Sequence, residues 1–527
     1  MLPLLESFLA EQWRAGTGAG PVLIDPVLGT GLARLASGGF DLDAGLRHAR
    51  QRGGAALREL TYKGRAALLR AGLAVLRRHA DDYHAIATAN RGAVAADAVA
   101  DIAGAFDLIE YYAKLGDMLG ERRFLVDGDL VPLGRDPLFS ALHLLTPTPG
   151  VAVCFPPVEA PGLGMWERIG PALLSGVPVL VVAATSTAWL SYRMLRDLVD
   201  AASFPPGSIS LLCGAPDGLL DALKEFDVVT GAGTVAMAAA LRAHPVVTGR
   251  ALRTGFETHG DNAMLLLPGE SPGGALCAAF SATVVRELAR HAGLGSATPR
   301  TILVPAENCQ ALAADLVARC AALRAGNPRN PAVGISAQPD RAGFAAARAS
   351  LAHARTRGVV LHDGAGVALL DADPAVACCL GPSLLGPDDG GAGLEPIAGT
   401  GLFGPMARLL PYASLAAARG MLAPGEGAAA LSLFGSDLDA LAATALELAP
   451  GFGRVHVVSP DTLDIETGHG RALPQALQGG PGRAGGGEKL GGLRALYFYH
   501  RRVAVQASTE VLSVVRPRGR WRNLCCV

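Results

Sequence analysis

Regular alternation of short apolar runs with longer amphipathic segments constrains this chain more than any other feature of its sequence. Alternation of this kind predicts parallel strands joined by crossover helices, that is, an α/β fold. In the first series, helices are predicted at 189–202, 217–224 and 234–243, and strands at 151–155, 178–182, 208–213 and 227–231.

A second series follows a break near 250–261, so two α/β halves are expected. Its helices are predicted at 273–291, 310–324 and 437–448, and its strands at 263–269, 301–305, 358–362, 429–435 and 454–459.

Outside these two series, the sequence lacks the alternation of strands and helices. Long amphipathic helices are predicted over 44–90 and 99–119. Alternating polar and apolar residues at 139–149 favour a hairpin, and the run 493–506 resembles a strand.

Composition excludes several classes of protein. Of the 527 residues, 50% are hydrophobic and 18% charged, which is typical of a globular chain. Lys and Arg total 46 against 47 Asp and Glu, a balance that argues against a nucleic-acid partner. Nine cysteines without regular spacing indicate a reducing compartment and no zinc site. With Glu6 and Glu11 in an N-terminus that has no basic start, we expect a cytoplasmic protein.

One uncharged stretch, 169–192, is long enough to span a bilayer. Pro171, Gly176 and Pro178 interrupt it, however. The stretch is therefore interpreted as the end of a helix, a turn and a buried strand, with no membrane partner.

A glycine motif follows the strand predicted at 227–231. Gly231 and Gly233 precede Ala236 with the spacing of a dinucleotide-binding turn, in which backbone N–H groups hold a diphosphate. An ordinary strand–helix turn that needs glycine explains the motif equally well.

Several longer strings carry a more specific signal. They are ATAN (87–90), YYAKLG (111–116), TGHG (467–470), GGPGRAGGGEKLGGLRA (479–495) and FYHRR (498–502). With the order of elements, they resemble the aldehyde dehydrogenase superfamily over nearly the whole chain. Within it, the chain is similar to the CoA-linked semialdehyde dehydrogenases of aerobic benzoate and phenylacetate degradation, and more so to the benzoate branch.

The resemblance implies a Rossmann-like cofactor domain over 1–256, a catalytic α/β domain over 257–478 and an oligomerisation tail over 479–527. The segment 139–149 would join that tail in an intersubunit sheet of a homodimer. It also implies NADP as cofactor and a CoA-linked semialdehyde as substrate. In such enzymes a cysteine attacks the aldehyde, hydride passes to nicotinamide, and a glutamate activates the hydrolytic water.

The residues carried over by this resemblance depart from the family pattern at the reacting centre. Ser296 stands where the family has its nucleophilic cysteine, and Glu159 where it has the asparagine that stabilises an oxyanion. Glu257 aligns with the water-activating glutamate and is retained.

The cofactor positions are altered as well. Val182 replaces a lysine that contacts the adenosine ribose, and Gly401 replaces a glutamate that holds the nicotinamide ribose. The remaining cofactor-binding positions implied by the resemblance are Thr185, Thr187, Gly233, Thr234 and Phe403.

These substitutions predict that dehydrogenase activity is weak or lost on an intact scaffold. Two alternatives stay open: an active semialdehyde dehydrogenase with an atypical site, and a non-catalytic partner or binder of CoA thioesters. A third is a serine-dependent thioesterase, for which Glu257, His259 and Ser296 would be the candidate triad.

Overall fold

Two seven-stranded sheets dominate the fold, and both are built largely from parallel strands. The structure, a computed structural model, describes residues 2–18, 20–134, 138–356, 358–386, 402–422, 426–471, 473–476, 478–489 and 491–515. The α/β fold expected from the alternating pattern is confirmed.

The strands of the described residues are β1 (Leu4–Leu5), β2 (Ser7–Leu9), β3 (Gln12–Arg14), β4 (Val22–Ile24), β5 (Gly31–Leu35), β6 (Leu125–Val126), β7 (Val131–Pro132), β8 (Phe139–Pro147), β9 (Ala152–Phe155), β10 (Val179–Ala183), β11 (Ile209–Cys213), β12 (Val228–Gly233), β13 (Arg253–Thr258), β14 (Asn262–Leu266), β15 (Pro299–Pro305), β16 (Val359–His362), β17 (Ser383–Gly386), β18 (Met406–Tyr412), β19 (Ala428–Phe434), β20 (Phe452–Val458), β21 (Gln478–Gly480), β22 (Gly487–Lys489) and β23 (His500–Ser508).

The α-helices of the same residues are α1 (Leu42–His48), α2 (Gly54–Glu59), α3 (Tyr62–Arg77), α4 (Ala80–Ile86), α5 (Ala95–Leu119), α6 (Pro161–Ser175), α7 (Ala188–Asp200), α8 (Val235–Ala243), α9 (Pro245–Gly249), α10 (Ala275–Ala289), α11 (Cys309–Ala322), α12 (Arg341–Ala354), α13 (Leu415–Leu422), α14 (Leu438–Leu448), α15 (Gly492–Phe498) and α16 (Thr509–Val515).

The first sheet has the strand order β13-β12-β9-β10-β11-β2-β3, and the second has the order β16-β17-β18-β15-β14-β19-β20. Along β10, alternate side chains enter different cores. Val181 packs with Trp166 of α6 on one face, whereas Val182 packs with Leu212 on the other. In the second sheet, β14 alternates in the same way, with Met264 in one core and Leu265 in another. Burying one such aliphatic side chain stabilises the fold by roughly 1.5–3 kcal/mol.

The uncharged stretch 169–192 contains the end of a helix, a turn and a buried strand, as predicted. Helix α6 ends at Ser175, Gly176 takes a left-handed conformation with φ +86°, and β10 follows fully buried. Among the described residues, no helix is both long and apolar enough to cross a membrane. Cys378 and Cys379 are buried.

Three local predictions were wrong. Residues 217–224 form turns rather than a helix. The run 493–506 begins with α15 and becomes a strand only at His500. Residues 139–147 form one strand instead of a hairpin, because β8 finds its partners elsewhere: β6 and β7 before it and β23 from the tail.

Candidate functional site

A cavity of about 1050 Å³ lies between segments of the two α/β halves, at the carboxyl ends of β12 and β13. Its lining includes three of the sequence-predicted residues, Glu159, Glu257 and Ser296. On β12 the lining residue is Ala232 instead of the predicted Gly233. The edge at which parallel strands end is the usual place for a ligand in such folds.

Ser296 sits on a loop that begins with an unusual backbone. His291 and Ala292 have φ +50° and +57°, a left-handed conformation that costs non-glycine residues energy. Gly293 continues it at φ +68°, where a Cβ would lie 2.3 Å from the carbonyl oxygen of Gly404. Only glycine fits there, and the loop is thereby pressed onto the segment before β18.

Two polar side chains fix the end of this loop. Asn262 donates to the carbonyl oxygens of Ser296 and Thr298, at 2.8 and 3.0 Å. His469 is fully buried; its Nε2 contacts the carbonyl oxygen of Ala297 and its Nδ1 the hydroxyl of Ser432, each at 2.7 Å. Since a carbonyl can only accept, Nε2 carries the proton. The pKa of His469 is lowered to about 3 by burial, which keeps the ring neutral.

The hydroxyl of Ser296 donates a hydrogen bond to Oε1 of Glu257. The other oxygen, Oε2, lies 3.3 Å from a guanidinium nitrogen of Arg168, whose side chain is only 2% exposed. Hydroxyl, carboxylate and guanidinium thus form a connected row along the cavity. The carboxylate accepts the hydrogen bond of the hydroxyl, and the buried cation stabilises its negative charge.

His259 stands apart from this row. It is half-buried, but its Nδ1 is shielded from solvent and has no hydrogen-bond partner in the described part of the chain. Its ring meets that of Phe403 edge to face, with centroids 6.1 Å apart. Burial lowers the pKa of His259 to about 4. Because Ser296 and Glu257 contact each other directly, the triad considered for this histidine does not form.

Glu159 is half-buried in the turn before α6. The nearby Asp101 of α5 accepts from the N–H groups of Gly162 and Leu163 and so caps that helix. Arg91 donates to the carbonyl oxygen of Glu159 at 3.1 Å. Burial, reinforced by the charge of Glu257, raises the pKa of Glu159 to about 7. Near neutrality a large share of Glu159 is therefore uncharged, and the uncharged acid can donate a hydrogen bond.

Arg91 also ties the two halves together. Besides Glu159, its guanidinium donates to the carbonyl oxygens of His291, at 3.0 Å, and Ala337, at 2.7 Å. One side chain thus holds the turn before α6 against the loop that carries Ser296.

The predicted dinucleotide positions fit such a cofactor only in part. Gly233 ends β12 and Thr234 caps α8, accepting from the N–H of Met237 at 3.1 Å, so the strand–glycine–helix geometry suited to a diphosphate is present. Val182, by contrast, is 2% exposed inside an apolar cluster and offers no polar group to a ribose. Gly401 lies outside the described residues.

The other predicted cofactor residues lie on two separate segments. Thr185 and Thr187 belong to a 3₁₀ turn after β10, which Asn90 of the ATAN string fixes by donating to the carbonyl oxygen of Ser186 at 2.8 Å. Phe403 donates its N–H to the hydroxyl of Ser350. Among the described residues, Val182 thus supplies no polar contact for a ribose.

Four of the residues that shape the site were missed in the sequence: Arg91, Asp101, Arg168 and Asn262. One histidine has a signal in the sequence, because His469 belongs to the string TGHG that carries the family resemblance. The others act across more than 30 residues of chain, and no local pattern marks such partners.

The aldehyde dehydrogenase family model matches residues 13–475. A 3,4-dehydroadipyl-CoA semialdehyde dehydrogenase of Aromatoleum evansii is 38% identical over 482 residues, which cover 90% of this chain and 93% of that protein. The chain therefore belongs to the aldehyde dehydrogenase family.

Solved structures agree on the fold. A betaine aldehyde dehydrogenase double mutant of Staphylococcus aureus in complex with NAD+ superposes with a TM-score of 0.81 at 17% identity, covering 96% of this chain and 97% of that one. An NADP-dependent enzyme of E. coli gives a TM-score of 0.80 at 19% identity, covering 96% and 98%. Bound nicotinamide dinucleotides thus occur among structures that share this fold.

Proposed function

We propose that this protein binds a CoA-linked semialdehyde, or a related CoA thioester, in the cavity between the two halves, and that its NADP-dependent aldehyde oxidation is weak or lost. One observation carries the proposal. The position of the family nucleophile is occupied by Ser296, and no cysteine is found among the described residues that line the cavity.

Aldehyde oxidation in this family needs a covalent adduct from which hydride can leave. A thiol with a pKa near 8.5 forms such an adduct readily, whereas a serine hydroxyl is a much weaker acid and needs a base. Glu159 stands where the family has the asparagine that stabilises the oxyanion. In its ionised form, Glu159 repels the negative charge that must develop on the aldehyde oxygen. The apolar surroundings of Val182 remove a cofactor contact that the family resemblance implies.

Support for a CoA-linked ligand comes from the relative in Aromatoleum evansii, whose name specifies such a substrate. The cavity itself is large, at about 1050 Å³. Arg286 and Arg319 belong to its lining and have side chains 51% and 36% exposed, so they lie at the solvent side. Cations there suit the phosphates of a CoA moiety whose acyl end reaches Ser296.

A cytoplasmic homodimer is proposed as the assembly. Strand β23 lies at the edge of the sheet that it forms with β8, and Val503 on it is 43% exposed. An edge strand of nine residues invites pairing with another chain unless it is covered. Sedimentation at micromolar concentration tests this, and a stable monomer contradicts it.

The decisive experiment combines binding with turnover. Calorimetry with acetyl-CoA and with NADP measures the two affinities separately. Nicotinamide reduction is followed spectroscopically with hexanal and succinate semialdehyde as aldehydes. We expect acetyl-CoA to bind and NADP reduction to stay near background. Absence of acetyl-CoA binding would contradict the ligand class.

An active dehydrogenase with an atypical site is the second candidate, and the contact between Ser296 and Glu257 favours it, since the carboxylate is placed to accept the hydroxyl proton. Turnover of an aldehyde with NADP at about 1–1000 per second, the range of ordinary enzymes, would establish that alternative and overturn the first.

A further inference from the structure

A serine hydroxyl behind the loop that carries Ser296 lies between two histidine rings. Ser432 Oγ, on β19, is 2.7 Å from Nδ1 of His469 and 3.3 Å from Nδ1 of His456, on β20. A hydroxyl has one proton and can donate it to only one ring at a time. We infer that His456 is a positioning residue: when it is protonated, the Ser432 proton is committed to His469, which holds the loop.

The His469 ring joins this hydroxyl to the loop. Its Nε2 donates to the carbonyl oxygen of Ala297 at 2.7 Å, one residue after Ser296. A neutral ring with its proton on Nε2 has a lone pair on Nδ1, so Nδ1 can only accept. Both nitrogens of this fully buried ring are therefore satisfied only when Ser432 donates to it, and a buried acceptor left without a donor is costly.

The His456 ring competes for the same proton while it is neutral. Its Nε2 lies 3.3 Å from Oε2 of Glu466. Since a carboxylate accepts, the single proton of the neutral ring is drawn to Nε2, and Nδ1 then needs the proton of Ser432. In the protonated ring both nitrogens donate, one to Glu466 and one to Ser432. The hydroxyl proton is then left for His469.

Three charged groups face the His456 ring. Burial lowers its pKa below 6.5, Glu466 opposes that shift, and the cations Arg454 of β20 and Arg286 of α10 add to it. A guanidinium nitrogen of Arg286 is 3.6 Å from Oε1 of Glu466, and both residues line the cavity. The charge at the cavity wall thus acts on the ring that competes for the Ser432 proton.

Hydrogen exchange followed by mass spectrometry measures how firmly the loop is held. The full-length protein and each variant are compared at the same pH, from 4.5 to 8, so that the intrinsic pH dependence of exchange cancels. At the acid end we expect the peptide 291–299 to exchange about tenfold faster in Ser432→Ala than in the unaltered protein, the scale of one hydrogen bond. The ratio should fall towards one at the alkaline end, where His456 is neutral.

Other carboxyls of the region titrate in the same range. Burial raises the pKa of Asp101 and of Glu159 to about 7. Because both residues are retained in every variant, their effect is common to the two rates and cancels in the ratio. His456→Gln, which cannot be protonated, should abolish the change of the ratio with pH.

Glu466→Gln distinguishes this inference from a merely structural role. Without the carboxylate that favours the protonated ring, the midpoint of the change should move to lower pH. A structural role would alter exchange by the same factor at every pH.

A second histidine that faces a carboxylate provides the matched control. Nε2 of His244 lies 3.7 Å from Oδ1 of Asp221, and neither residue lines the cavity. His244→Gln should leave the exchange of 291–299 unchanged from pH 4.5 to 8. Thermal unfolding checks that each variant folds.

The ratio of exchange rates decides the inference. A ratio that stays at one, or that does not vary with pH, overturns it, and so does an unshifted midpoint in Glu466→Gln. Should Ser432→Ala fail to fold, His456→Gln replaces it: loss of the pH-dependent protection supports the inference, and protection equal to that of the unaltered protein overturns it. None of these measurements needs a ligand, so the proposed function is judged separately by acetyl-CoA binding.

Discussion

The carboxamide of Asn262 donates to the backbone carbonyl oxygen of Ser296 over 2.8 Å, and so ties the first residue of β14 to the reactive loop. The same side chain donates to Thr298 and accepts from the N–H groups of Ala429 and Ala430. The buried carboxamide thus makes all four hydrogen bonds open to it. Because one of them holds the backbone of Ser296, Asn262 is a positioning residue for the Ser296 hydroxyl.

Replacing Asn262 by Ala should therefore destabilise the protein strongly. Buried carbonyl and N–H groups would lose their partner, at about 1–3 kcal/mol for each group left without one. Urea unfolding measures the loss. Asn308→Ala, which removes one amide bond to the carbonyl oxygen of Glu270, is the control and should cost less. Equal stability of the two variants would contradict the role given to Asn262.

Protonation of Glu159 predicts a pH dependence of stability. Its pKa is raised from 4.5 to about 7 in the folded protein, mainly by burial. Between these values the folded state binds more protons than the unfolded state, so this residue lowers stability as pH rises. Glu159→Gln should remove that contribution. The difference in unfolding free energy between variant and unaltered protein should grow from pH 4.5 to 7, and a constant difference would disprove the shift.

His469 predicts the opposite slope. Burial lowers its pKa from 6.5 to about 3, so between these values the unfolded state binds more protons and stability is lost as pH falls. His469→Gln, which keeps a donor but cannot be protonated, should weaken the acid sensitivity. Thermal melting at a series of pH values from 4 to 7 measures it. His353→Gln is a suitable control, because His353 is exposed on α12.

Restoring the family residues tests whether the redox chemistry was eroded on a sound scaffold. Ser296→Cys combined with Glu159→Asn should introduce measurable aldehyde oxidation, or at least reaction with an aldehyde to form a thiohemiacetal. Val182→Lys should not add to it, because an ammonium group would enter an apolar cluster where Val182 is 2% exposed. We expect Val182→Lys to destabilise the fold, which would be seen as a lower melting temperature.

The sequence was sufficient for the repeating architecture, because apolar strands such as 179–183 and long helices such as α5 carry strong periodic signals. The sequence pattern did not predict the structure of 217–224, because the spacing of its apolar residues is typical of a helix whereas the chain forms successive turns there. At the site, the resemblance placed Ser296 and Glu257, which do meet. Their contacts with Arg168 and Asn262 depend on how segments distant in the sequence pack against each other. A local sequence pattern does not predict such contacts.

The pairing of β8 with β23 joins residues 355 positions apart, as in the bond between Thr146 and the carbonyl oxygen of Arg501. While the chain is being synthesised, β8 emerges long before its partner exists. Until His500–Ser508 arrives, one long side of β8 is an uncovered edge of buried-type residues such as Leu142 and Leu144. Contacts of such separation form late and slowly, so β8 is exposed to aggregation in the nascent chain until β23 pairs with it.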